Sequence, residues 1–311
     1  MRIVLIVFSA AVLLTAAVLT ALPGSIPASA KADYIKWVDF TPSYAAMKKA
    51  LDIDVESQGG QSWIALLAYL GAKYGGDFAR YKERDLEKFD PAVKNYDYYY
   101  KAYSAALSGF VGHYRVEVEN ELGQREWVQR YGLKAFSPIA RGYDYSDFDD
   151  FGVSRSYGYK RRHLGHDMMG QTGTPIIAVE SGVVEELGWN QYGGWRIGIR
   201  SFDGARYYYY AHLRRNRPYA AGLEKGQTVT AGDVIGYMGR TGYSSKENVN
   251  NIEETHLHIG LELIFDESQK DGVNQIWIDL YAISKLLRHN RVEVWRDENK
   301  EWHRVYGYEE Q

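Results

Sequence analysis

The sequence predicts an α+β fold, with a small N-terminal helical domain followed by an antiparallel β-sheet domain. Two patterns predict it. Between about Pro42 and Gly112 apolar residues recur at threes and fours, most clearly Tyr44, Met47, Ala50 and Leu51, which is the period of an amphipathic helix. Between Ser154 and about Phe265, short β-branched and aromatic segments are separated by glycine-containing turns, the texture of paired antiparallel strands. At 311 residues and 45% hydrophobic content the chain has room for two cores and a leader.

Taken in order, Met1 and Arg2 precede an uncharged apolar run from Ile3 to Leu22, then Pro23, Gly24 and the small residues Ala28-Ser29-Ala30. This is the pattern of an export signal cleaved after Ala30. The run is also long enough to span a bilayer, so membrane anchoring through residues 3–22 is the alternative expectation. Either way the remainder is expected to be extracytoplasmic, secreted or held at the outer face of the cytoplasmic membrane. Residues 31–114 are expected to form the helical domain, punctuated by Gly59-Gly60 and Gly75-Gly76-Asp77. Its tyrosines 96, 98, 99, 100 and 103 are expected to pack a helix against its neighbours. Residues 115–153 are expected to join the domains, although Arg115-Val116-Glu117-Val118-Glu119 alternates like a strand.

The second domain, 154–311, is expected to carry strands at Pro175–Val179, Gly182–Leu187, Trp195–Arg200, Arg206–Leu213, Val229–Met238 and His256–Leu263. A hairpin turn is expected at Asp203-Gly204. A C-terminal helix over Ile278–His289 and a hairpin within Arg291–Tyr306 complete it. The formal charge of -3 sets up no global field for nucleic acid, and the absence of cysteine excludes disulfides, thiolate metal sites and a cysteine nucleophile.

Any metal site must therefore use His, Asp and Glu, and these gather at two places. The first is His163-Leu164-Gly165-His166-Asp167; the second, about ninety residues on, is His256-Leu257-His258. A catalytic zinc takes three nitrogen or carboxylate ligands and leaves a position open. His163, Asp167 and His258 make such a set. In a strand, residues i and i+2 share a face, so His256 and His258 point into one cleft while Leu257 turns to the core. His166 is expected to face away from Asp167. Tyr243 and alternate members of Tyr207–Tyr210 are candidate groove residues, and Glu262, on the same strand parity as His258, is a candidate support behind the metal ligands. For Glu262 and for Lys160-Arg161-Arg162, a solvated surface charge is the expectation.

The ordered set His163-x-x-x-Asp167, Tyr210-Ala211-His212-Leu213, Gly226-x-x-Val229-x-x-Gly232-Asp233-x-Ile235-Gly236 and His256-Leu257-His258 resembles the M23 metallopeptidases. These are the lysostaphin and LytM-like peptidoglycan endopeptidases, and the resemblance covers about Gly158 to Phe265. It implies an M23-type peptidase domain that holds one zinc ion per chain through His163, Asp167 and His258. His212 and His256 would then be unligated catalytic histidines, His256 moving the proton and His212 orienting water or stabilising the oxyanion. The implied substrate is the peptide stems or cross-bridges of bacterial peptidoglycan. The alternative is a noncatalytic zinc-fold regulatory or cell-wall-binding module. Two departures stand out: His166, directly before Asp167, is a competing ligand candidate, and Ser244–Thr255 is longer than the family's usual link and is expected to wall one side of the cleft.

Overall fold

The computed structural model describes residues 34–157 and 159–311, and among these three α-helices come first. The expected leader lies outside them, and among the described residues no helix is long and apolar enough to cross a membrane. Ser43 caps the first helix, Tyr44–Glu56, by accepting from the Ala46 N–H at 3.3 Å, and Ala46, Met47, Ala50 and Leu51 bury its inner face. Asp54, on the same face, is buried yet satisfied. It accepts from the Trp63 N–H at 2.7 Å and from the Tyr131 hydroxyl at 2.6 Å, tying the second helix, Trp63–Tyr74, and a β-hairpin to the first. The third helix, Tyr96–Leu107, buries Tyr103 and leaves Tyr100 exposed.

The helices are followed mainly by antiparallel strands. The stretch 115–153 holds more than a connection: Val111–Glu119 and Arg125–Leu133 pair along their length, and Tyr308–Glu310 adds a third strand. Its pairing partner lies nearly two hundred residues away, so alternation in Arg115–Glu119 showed a strand but not a sheet.

The large sheet has the spatial order Thr228–Val229, Gly182–Asn190, Gly194–Ser201, Arg206–Ala211, His256–Leu263, His166–Met169 and Ser146–Asp147. Ile276–Trp277 pairs with the far end of His256–Leu263. Pro175–Ile177 leaves this sheet and pairs with Val234–Tyr237. The C-terminal helix is Tyr281–Leu287, and the expected hairpin forms between Val294–Arg296 and Trp302–Arg304.

Helices and sheet share one hydrophobic cluster, running from Met47, Leu67 and Tyr103 to Ile199, Tyr210 and Leu261. Inside it sits Arg206, 1% exposed. Its Nε and Nη2 donate to the two carboxylate oxygens of Glu180, each at 2.8 Å, and Nη1 donates to the Ala105 carbonyl at 2.8 Å, at the end of the third helix. The Tyr208 hydroxyl adds a donor to Glu180 at 2.6 Å. A buried ion pair is tolerated only when its hydrogen-bonding capacity is filled in this way.

Candidate metal centre and cleft

Strand register builds the site. Asp167 and Ala211 both stand opposite His258, on either side of the histidine strand, so all three project to the same face. Leu257 is fully buried on the other face. The close approach of His258 to the loop before Asp167 requires a residue without a side chain there. A Cβ on Gly165 would lie 2.5 Å from His258 Cε1 and 2.8 Å from the Ile259 carbonyl oxygen.

Three acceptors converge at this point. Asp167 Oδ1 lies 3.0 Å from His163 Nε2 and 2.9 Å from His258 Nδ1, and the two nitrogens are 2.9 Å apart. The other nitrogen of His163, Nδ1, faces the carbonyl oxygen of Asp150 at 3.2 Å and its carboxylate at 3.1 Å. Both are acceptors, so Nδ1 carries the proton and Nε2 presents a lone pair. Donors 2.0–2.2 Å from a tetrahedral zinc ion stand roughly 3.3–3.6 Å apart, so outward movement of a few tenths of an ångström seats such an ion here. Two imidazoles and a carboxylate are also the hard-to-borderline donor set that zinc takes.

Charge reinforces the convergence. Burial alone would raise the Asp167 carboxyl, but its polar contacts with His163 and His258 and the nearby His256 hold it well below the usual carboxylate range. Burial works against the charged form of His163, and the Asp167 hydrogen bond and carboxylate, with Asp150, outweigh it and raise its pKa. His258, also desolvated, is lowered despite Asp167.

His212 and His256 flank this set, with ring centroids 4.7 Å apart. Each is tethered through Nδ1 to a backbone carbonyl, His212 to Thr241 and His256 to Glu254, both at 2.9 Å. Since a carbonyl only accepts, both Nδ1 atoms carry the proton and both Nε2 atoms offer lone pairs. His256 Nε2 lies 3.8 Å from Asp167 Oδ1. Burial, with His256 and His258 nearby, pushes the pKa of His212 well below its ordinary value and keeps it neutral. His212 adopts φ of 61°, a left-handed conformation held by its N–H donating to the Gly193 carbonyl at 2.7 Å.

His166 points to the opposite side and hydrogen-bonds Asp147 at 3.0 Å. Tyr207 and Tyr209 line the cleft, whereas Tyr208 and Tyr210 turn inward, their hydroxyls engaged by Glu180 and the Val179 N–H. The cleft encloses about 560 Å³. Arg161, expected as a solvated charge, instead lies in the cleft with its guanidinium 5.2 Å from the Tyr192 ring and 5.1 Å from the Tyr243 ring. Glu262, expected at a solvated strand position, is 1% exposed.

Sequence reasoning also missed Asp150 and Arg155. Asp150 is 2% exposed, and Arg155 donates to its carboxylate while reaching Asp167 Oδ2 at 3.3 Å. Asp150 lies in an Asp- and Tyr-rich segment whose composition signals a loop; no spacing links it to His163.

Residues 161–272 match the family model described as Peptidase family M23. Over 130 residues the chain is 40% identical to the L-Ala–D-Glu endopeptidase of Bacillus subtilis, spanning 42% of this chain and 38% of that protein. Over 126 residues it is 31% identical to the lysostaphin of Staphylococcus staphylolyticus, spanning 40% of this chain and 22% of that protein. The chain thus spans well under half the length of these curated relatives. The solved structure of a lytM protein from Ruminococcus gnavus matches at a TM-score of 0.58 and 25% identity, over 81% of this chain and 90% of that one. That likeness extends well beyond residues 161–272. With sequence motifs and fold in agreement, residues 161–272 are a Peptidase family M23 domain.

Proposed function

We propose that the protein is a zinc-dependent endopeptidase that hydrolyses peptide bonds in the stems or cross-bridges of bacterial peptidoglycan, acting outside the cytoplasmic membrane after export by residues 1–30. The observation that carries this is the convergence of His163 Nε2, Asp167 Oδ1 and His258 Nδ1 within 3.0 Å of one another, beside two further histidines with lone pairs turned to the same cleft. Zinc bound there supplies Lewis acidity and lowers the pKa of water from about 15.7 toward about 7.

The chain's own residues do the rest. His256 receives the proton of the attacking water at Nε2 and returns it to the leaving amine; its Nδ1–H, held by the Glu254 carbonyl, keeps the ring in the required tautomer. His212, kept neutral by burial, orients that water by accepting its second hydrogen at Nε2. Tyr209 and Trp277, edge to face with ring centroids 6.2 Å apart, wall the groove beyond His258. The guanidinium groups of Arg155, Arg161, Arg162 and Arg196 line the cleft and favour a substrate bearing carboxylates, as peptide stems do. A glycine bridge offers no side-chain carboxylate. The name of the Bacillus subtilis relative, an L-Ala–D-Glu endopeptidase, agrees with a stem-peptide bond.

The test is digestion of purified peptidoglycan of several cross-link types, with new amino groups identified by mass spectrometry. Cleavage should vanish with chelator, return with zinc and be absent in His258→Ala, while His212→Ala and His256→Ala should each lose about 10²- to 10⁴-fold in rate. Binding of one zinc ion without cleavage of any wall type refutes the hydrolase and leaves a wall-binding or regulatory role.

A further inference from the structure

The cleft contains a buried acid that the proposed chemistry does not use. On the histidine strand His256, His258, Gly260 and Glu262 share the cleft face, placing the Glu262 backbone about 13 Å along the strand from that of His258. Glu262 is 1% exposed, lines the cleft, and its Oε1 has no hydrogen-bond partner among the described residues. Leaving a buried carboxyl oxygen unpaired is costly, and a structural carboxylate at this depth ordinarily has its partner built in.

The cations nearby are committed elsewhere. Lys270 pairs with Glu185 and lies over the Tyr207 ring at 4.7 Å. Arg200 pairs with Glu267 and approaches Glu185 at 3.7 Å. Between His258 and Glu262 the floor is stripped to Gly260, where a Cβ would lie 2.7 Å from Trp277 Cζ3; the indole rests on that glycine and stands beside Glu262. Asp271 and Gln275 complete this end of the cleft. An acceptor without a donor, flanked by Tyr207 and Trp277 on the two neighbouring strands, is the surrounding that an organic ammonium group seeks.

We propose that Glu262 anchors a cation subsite that receives the side-chain ammonium of a diamino acid residue two positions from the bond to be cut. This deepens the peptidase reading and rests on it for the direction of the substrate. The reach is shared: two extended residues span roughly 7 Å, a four-carbon amine stem extends up to about 6 Å from them, and the Glu262 side chain closes the rest of the roughly 13 Å between the strand positions. A metal ion is a poorer occupant, because among the described residues no group of three His, Asp or Glu ligands gathers at Glu262.

The experiment compares the tripeptide L-Ala-γ-D-Glu-L-Lys with its Nε-acetyl derivative, which keeps the shape and removes the charge. Binding is measured by calorimetry on the full chain carrying His258→Ala, with and without Glu262→Gln, so that no cleavage is needed. The charged peptide should bind about ten- to one-hundred-fold more tightly than the acetylated one, and Glu262→Gln should reduce that ratio to about one. A ratio near one with Glu262 present, an unchanged ratio in Glu262→Gln, or no binding of either peptide overturns the subsite. On the zinc-loaded wild-type chain the same two peptides should show the same ratio in kcat/KM. Discrimination in binding without cleavage by the wild-type chain refutes the hydrolase and leaves the subsite standing. Correct folding of Glu262→Gln is checked by its melting at pH 5 against the wild-type chain.

Discussion

Glu262→Gln should make the protein's stability less dependent on pH. Burial raises the Glu262 carboxyl from 4.5 to about 7; Asp271 adds to the rise, Lys270 and Arg200 oppose it, and Glu185 supports it. Each tenfold change in proton affinity is about 1.4 kcal/mol, so the fold favours the protonated form by about 3 kcal/mol. Because the folded value lies above the unfolded one, this contribution is complete below about pH 4.5 and is lost as pH rises through about 7. The uncharged glutamine has nothing to lose. Relative to Glu262→Gln, the wild-type chain should therefore weaken by up to about 3 kcal/mol between pH 4.5 and pH 8.5, the other titrating groups cancelling in the comparison. Urea unfolding of both chains with chelator present, at those two pH values, measures the difference. A gap between the two chains that stays constant across that range refutes the claim that the carboxyl is desolvated and unpaired.

Three further outcomes follow from the same geometry. Asp150→Ala should weaken zinc binding about ten- to one-hundred-fold without changing the fold, since it removes the carboxylate, one of the two acceptors that orient His163; competition with a chromogenic chelator checks this, and unchanged affinity would show that the backbone carbonyl alone suffices. Gly165→Ala should cost roughly 1–3 kcal/mol and lower the bound-zinc stoichiometry, because the added Cβ meets both His258 and the Ile259 backbone; thermal melting with metal analysis reads both. Arg206→Met should destabilise by roughly 3–5 kcal/mol by stranding Glu180, and Arg206→Met with Glu180→Leu should recover much of the loss; denaturant unfolding of the two variants decides whether the ion pair, rather than its volume, matters.

Much of the architecture was written in local patterns. Periodicity at threes and fours marked the first helix. Period-two alternation placed His256 and His258 on one face with Leu257 behind them, because side chains in a strand must alternate. The spacing of His163, Asp167 and His258 named three donors that register then brings together. These features are legible because they depend on a repeat only a few residues long.

The remainder depended on distance. Nothing in Tyr308–Glu310 announces a partner at Tyr114–Val116, and nothing in Lys160-Arg161-Arg162 says that the middle residue sits between two tyrosines more than thirty and eighty residues away. Asp150 and Glu262 look, in sequence, like ordinary surface acids. The tertiary structure buries both, one against His163 and the other unpaired in the cleft. By itself, then, the sequence determined the order of the elements, named the three donors that the fold brings together and carried the match to Peptidase family M23 over residues 161–272. The folded chain alone decided which charges lose their water, because desolvation is a property of everything that packs around a group and not of its neighbours along the backbone.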